Sequence, residues 1–60
     1  MNDPQQYMVD VLMTDGMFRA VGSFVWFDQA LDYARQLLGT RIRLLTAPCV
    51  WEVVWDANAP

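Results

Sequence analysis

Sixty residues with 55% apolar side chains and a net charge of −3 indicate one small domain. A chain this short buries only about 60% of its unfolded surface, so it needs an efficient core or self-association. The acidic balance argues against charge-driven binding to nucleic acid, and no apolar run is long enough to span a membrane.

The residue types argue against metal and thiol chemistry. Cys49 is the single cysteine and there is no histidine, so an internal disulfide is excluded and neither a metal site nor a cofactor is expected. The polar N-terminus lacks the basic and apolar regions of a signal peptide. We therefore expect a complete, stand-alone cytoplasmic protein.

Residues 7–14 predict a strand, and Asp15-Gly16 predicts a two-residue hairpin turn into a return strand from residue 17 to residue 23 or 24. This turn sets Thr14 opposite Met17, and it separates one uncharged face from one mixed face. The uncharged face, expected to meet the core, carries Tyr7, Val9, Val11, Met13, Phe18, Ala20, Gly22 and Phe24.

Residues 27–38 predict an amphipathic helix. No good N-cap precedes it, Asp28 suits the first turn, and Gly39 suits the left-handed position after the last turn. Its predicted apolar stripe consists of Phe27, Ala30, Leu31, Ala34, Leu37 and Leu38.

A second hairpin is predicted from residue 41 to 45 or 46 and from residue 50 to 56, with its loop centred on Ala47-Pro48. That loop sets Leu44 opposite Trp51 and Arg43 opposite Glu52. The predicted inner face is Ile42, Leu44, Trp51, Val53 and Trp55, and the predicted outer residues are Arg41, Arg43, Leu45, Val50, Glu52 and Val54.

The order β-β-α-β-β predicts an α+β fold of two layers in a single domain, residues 1–60. We expect a four-stranded antiparallel sheet in the order 2-1-3-4 with one helix on one face. An order with the fourth strand beside the first fits the same pattern. Residues 1–6 and 57–60 are expected to be flexible tails.

The predicted uncovered face mixes apolar and charged residues. An ordinary solvent-facing sheet would account for this, since exposed apolar atoms are normal. We favour an interface with another chain, because a contiguous apolar patch among charges is typical of one. The candidate partner-binding residues, including the exposed helix positions, are Met8, Asp10, Leu12, Met17, Arg19, Val21, Trp26, Asp28, Asp32, Arg41, Arg43 and Glu52.

No residue pattern indicates an enzyme. Asp28 and Asp32 indicate a solvated helix stripe, and Cys49 has no base to activate it and is expected to be half-buried in a turn. Asp10 is expected to form a surface pair with Arg19 or Arg41. Core packing is the preferred interpretation of the other tryptophans, whereas Trp26 is a candidate exposed anchor.

Three functions are consistent with these features. In size and composition, this acidic chain without catalytic motifs resembles the small inhibitors carried by bacteriophages, anti-CRISPR proteins among them, which implies a steric inhibitor in the host cytoplasm. The alternatives are a small dimeric nucleic-acid-binding regulator using Arg19, Arg41 and Arg43, and a self-associating structural subunit. Within the first class, the acids that would imitate nucleic acid are Asp15, Asp28, Asp32, Glu52 and Asp56.

Overall fold

A computed structural model describes residues 5–58 as an antiparallel sheet with one helix. The four strands follow the order β2-β1-β3-β4 in an open sheet, which confirms the predicted α+β fold and strand order. Within residues 5–58, no helix has the length and apolar character needed to cross a membrane. The elements are β1 (Tyr7–Leu12), β2 (Phe18–Phe24), α1 (Phe27–Ala34), β3 (Thr40–Ala47) and β4 (Val50–Asp56).

The core lies between the helix and the middle of the sheet. Ala30 and Ala34 of α1 are fully buried against Val9 of β1 and Ile42 of β3. These two small side chains let the helix approach the sheet closely, and larger side chains then close the sides of the core. The side chains that pack around this centre are Tyr7, Phe24, Phe27, Leu31, Tyr33 and Trp55.

Two aromatic pairs fix the helix on the sheet. Tyr7 and Phe27 meet edge to face with their ring centroids 5.7 Å apart, and Phe24 and Tyr33 lie 5.4 Å apart.

A Cβ on Gly22 would come within 3.0 Å of the Phe24 ring, so only glycine fits there without a shift.

The helix begins where predicted and ends early. It starts at Phe27 with Asp28 in the first turn, and no side chain among the described residues caps it, as expected. It ends at Ala34, where the Thr40 hydroxyl donates a hydrogen bond of 3.0 Å to the Ala34 carbonyl oxygen. The predicted extension of the helix to residue 38 is therefore wrong, and Leu38 is 93% exposed.

The loop after the helix places Gly39 differently from the prediction. Gly39 has the expected positive φ of 64°, yet it lies five residues beyond the end of the helix. Its carbonyl oxygen accepts a hydrogen bond from the Leu12 backbone amide, which ties this loop to the end of β1.

The first hairpin turns through three residues, so the predicted two-residue turn is wrong. Met13 pairs with Met17, and the Gly16 amide donates back to the Met13 carbonyl. Gly16, with φ of 85°, supplies the left-handed residue that such a loop needs. The predicted pairing of Thr14 with Met17 is therefore wrong, and Met13 takes the place of Thr14.

The three-residue turn shifts the pairing of residues 18–20 by one position, and a β-bulge at Val21 restores the predicted register from Gly22 onward. Val9 faces Gly22 as predicted, but Asp10 faces Ala20 because Val21 is an extra residue. Opposed residues share a face, so Phe18 lies on the side of Leu12 and Arg19 lies on the side of Val11. The predicted inner placement of Phe18 and Ala20 and the predicted outer placement of Arg19 are wrong.

The second hairpin turns at Pro48-Cys49, one residue later than predicted. Cys49 has φ of 62° and is exposed. The expectation that it is half-buried is therefore wrong. Proline followed by a left-handed residue is the arrangement of a type II turn. Ala47 therefore faces Val50.

The later turn and two further bulges change the faces of β4. Trp51 faces Leu45, Val53 faces Arg43 and Glu52 faces Leu44. The predicted Arg43–Glu52 pair and the inner placement of Trp51 and Val53 are wrong. Trp55 faces Ile42 and packs on the core as predicted.

The residues predicted as tails lie partly outside the described range. Residues 1–4 and 59–60 are not described. The Leu45 amide donates to the Gln6 carbonyl, and the Ala57 amide donates to the Thr40 carbonyl, so hydrogen bonding extends past the ends of β1 and β4.

The sheet side opposite α1 is called the outer face from here on. No element of the described residues covers it. From the strand register, it carries Met8, Asp10, Leu12, Phe18, Ala20, Ser23, Arg41, Arg43, Leu45, Trp51, Val53 and Asp56.

Candidate functional site

The centre of the outer face is Asp10, whose side chain is 1% exposed. Asp10 faces Arg41, and Met8, two residues earlier on the same face of β1, faces Arg43. Both arginines therefore lie on the face of Asp10 and reach the same carboxylate. Arg41 Nε donates to Asp10 Oδ2 at 2.9 Å, and Arg43 Nη2 donates to Oδ1 at 2.9 Å. Both carboxylate oxygens therefore have an ionic partner.

Arg43 makes a second contact with the same carboxylate. Its Nε lies within salt-bridge distance of Asp10 Oδ2, although it has no partner in hydrogen-bond geometry. We regard this contact as ionic, because opposite charges attract without the angular requirement of a hydrogen bond.

Each guanidinium also stacks on an aromatic ring. The Arg41 guanidinium carbon lies 3.7 Å from the centroid of the Phe18 ring, and that of Arg43 lies 4.9 Å from the Trp51 ring. Such cation–π contacts favour a fixed, planar arrangement of arginine. The resulting cluster, called the Asp10 cluster, spans all four strands and consists of Phe18, Asp10, Arg41, Arg43 and Trp51.

The cluster carries more positive than negative charge. Within the cluster one carboxylate contacts two guanidinium groups, each with five N–H donors, while Asp56 lies opposite Arg41 on β4 without forming a salt bridge to it. Arg41 and Arg43 keep 27% and 24% of their side-chain surface exposed. The donors that do not contact Asp10 can therefore reach an acceptor on another molecule.

Apolar side chains surround the cluster. Leu12 is 41% exposed and Val53 is 47% exposed, on opposite sides of the cluster in β1 and β4. Met8 and Leu45, on the same face, are half-buried. The outer face thus combines fixed cations with an apolar surround, a composition found at protein interfaces.

The structure brings together five of the predicted partner-binding residues and separates the others. Met8, Asp10, Leu12, Arg41 and Arg43 share the outer face, and Val21 is the exposed extra residue of the bulge in β2. Glu52 and Arg19 lie on the helix side of the sheet, and Met17 lies at the first turn. Exposed positions in and before the helix are Trp26, Asp28 and Asp32.

Three members of the outer face were missed by the sequence prediction. The sequence predicts Phe18, Trp51 and Val53 in the core. Phe18 differs because the first turn has three residues, and the other two differ because a bulge at Thr46 adds one residue in β3. Gly16, which also suits a three-residue loop, is a signal for the first change, and Pro48 indicates where the second turn lies, but no local signal marks the bulge at Thr46.

The charged residues of the other hypotheses do not gather in one place. Arg19 lies across the sheet from Arg41 and Arg43, and both of these contact Asp10. The acids are spread over the first turn, the helix and β4, at Asp15, Asp28, Asp32, Glu52 and Asp56.

Among residues 5–58, no three His, Cys, Asp or Glu side chains group closely enough to hold a metal ion. Comparisons of the chain with protein-family models, with curated proteins and with solved structures gave no match.

Proposed function

We propose that the chain is a non-enzymatic protein-binding module that blocks a larger protein sterically, with the outer face as its binding surface. The observation that carries the proposal is the Asp10 cluster. It is a complete, ordered set of charges on a sheet face that nothing among the described residues covers.

The cluster has an energetic cost that core stability does not explain. Taking Asp10 out of water costs several kcal/mol in principle, and apolar residues would often stabilise a small sheet equally well. A binding function would account for the cluster, because arginines already fixed on aromatic rings lose little side-chain entropy when they bind a partner.

The charges indicate the chemistry of the partner. The guanidinium donors of Arg41 and Arg43 that do not contact Asp10 favour a carboxylate, and the exposed Leu12 and Val53 favour an apolar surround. We therefore propose a partner surface with an acidic side chain at the centre of an apolar patch.

The small size and acidic composition are consistent with the class of inhibitors that act in a host cytoplasm, including phage anti-defence proteins. A nucleic-acid-binding regulator is less well supported, since Arg19 lies on the other face from Arg41 and Arg43. A second copy of the chain is the competing occupant of the outer face. The experiment below distinguishes such self-association from the binding of a larger partner.

The proposal is tested by capture from a candidate host lysate with two matched variants. Leu12→Asp places a charge on the outer face, whereas Leu38→Asp makes the same change at a 93% exposed position in the loop after α1. We expect Leu12→Asp to weaken capture at least about tenfold, because a buried unpaired charge at an interface is costly, and Leu38→Asp to leave capture unchanged.

Circular dichroism and light scattering complete this test. Both variants should keep the helix signal of the parent chain. Capture that survives Leu12→Asp contradicts the outer face as the interface. A dimer that Leu12→Asp converts to a monomer, with no other chain captured, supports self-association in its place.

A further inference from the structure

A groove opens on the helix side of the sheet, away from the Asp10 cluster. It has a volume of about 490 Å³ and lies between the end of α1 with the loop after it and the hairpin of β1 and β2. Tyr33 and Leu37 form one wall, and Val11 and Met13 line it from the first strand and its turn. Arg19 of β2 completes it, and we call it the Arg19 groove.

The bulge in β2 is the reason that Arg19 faces this groove. Without the extra residue Val21, strict alternation from the Val9–Gly22 pair would place Arg19 on the outer face. Bulges often redirect a side chain next to a functional site. Here the bulge moves a cation to an otherwise apolar wall.

Among the described residues that line the groove, Arg19 is the only charged one. Within the part of the chain that the structure describes, both salt bridges belong to Asp10, so Arg19 has no anionic partner there. An apolar wall with one uncompensated guanidinium is complementary to an apolar molecule with one anionic end.

We propose that the Arg19 groove binds a small aliphatic carboxylate, with its carboxylate on the Arg19 guanidinium and its hydrocarbon chain along Val11, Tyr33 and Leu37. The volume lies within the range of about 300–1,000 Å³ that is common for small-ligand sites. This site goes beyond the proposed protein-binding function, since it lies on the opposite side of the sheet from the outer face and needs no partner protein.

The test is a titration of the isotope-labelled 60-residue chain with decanoate. The backbone amide and arginine side-chain NMR signals report the binding. We expect shifts confined to residues that line the groove, including the side-chain Nε signal of Arg19. Decyltrimethylammonium, which has the same chain length and the opposite charge, should leave those signals in place.

Two charge-matched variants identify the role of Arg19. Arg19→Gln should weaken decanoate binding by about tenfold, because a charge-assisted hydrogen bond is lost. Arg35→Gln removes the same charge from an exposed residue outside the groove and should change the affinity by less than about twofold.

Several results would overturn the site. These are the absence of shifts at the groove, equal binding of the cationic amphiphile, an equal effect of both variants, and shifts that map to the outer face. Groove signals that move with protein concentration alone would assign the groove to a second copy of the chain and would also reject a small ligand.

Discussion

At the scale of single residues, Asp10 determines the character of the outer face. A carboxylate that is 1% exposed has lost its hydration, and the guanidinium groups of Arg41 and Arg43 replace it. Those two arginines in turn cover Phe18 and Trp51. Removing the carboxylate would leave two like charges together with no anion between them.

We predict that Asp10→Asn destabilises the fold by about 3 kcal/mol, because breaking a buried ion pair leaves its partners uncompensated. Urea unfolding measures this change. Asp32→Asn, at an exposed helix position, is the matched control and should stay within about 0.5 kcal/mol of the parent chain. Equal stabilities of the two variants would contradict the central role of Asp10.

The sequence predicts part of the Asp10 cluster. The Asp10–Arg41 pair was one of two expected partners, and it is confirmed, although as a buried contact rather than a surface pair. The other expected partner, Arg19, is wrong because the bulge in β2 turns it away. The sequence predicts Glu52 opposite Arg43, but the later turn together with the bulge at Thr46 brings Val53 into that position.

At the scale of elements, the end of the helix depends on a tertiary contact. The apolar period continues to Leu38, so periodicity alone extends the helix too far. After Ala34 the backbone tightens, with hydrogen bonds from Gln36 to Tyr33 and from Leu37 to Ala34. Thr40, six residues after Ala34, supplies the hydroxyl that completes this end.

We predict that Thr40→Val lowers the free energy of unfolding by about 1–2 kcal/mol, since the buried Ala34 carbonyl loses a hydrogen-bond donor while side-chain volume is kept. Thr46→Val is the control, because the Thr46 hydroxyl makes only an exposed bond of 3.4 Å to the Val50 carbonyl.

Thermal and urea unfolding of both variants provide the comparison. Thr46→Val should remain within about 0.5 kcal/mol of the parent chain. A loss at Thr46 that equals or exceeds the loss at Thr40 would show that the capping bond does not hold the helix end.

The first turn and the bulges explain why element order was predictable and strand faces were not. Element order depends on hydrophobic periodicity and on glycine and proline, which are local signals. Faces depend on register, and one residue more or less in a turn inverts every following side chain. Arg19 faces the helix side because it lies between the three-residue turn and the bulge at Val21. Trp51 faces the outer side because the bulge at Thr46 adds one residue before it.

At the scale of the whole molecule, the two sides of the sheet differ in kind. The helix side has a small aliphatic and aromatic core with the Arg19 groove beside it. The outer face has an ordered ionic cluster within an exposed apolar surround. The contrast supports a division of roles, with a partner protein on the outer face and a small anion in the groove.

The central claim, that the outer face meets a larger protein, is tested most directly by site-specific photo-crosslinking in the host lysate. Benzoylphenylalanine replaces Val53 on the outer face in one variant and Leu38 in the loop after α1 in the other. We expect a crosslinked partner from position 53 and none from position 38. A partner crosslinked from position 38 and not from position 53 would contradict the claim.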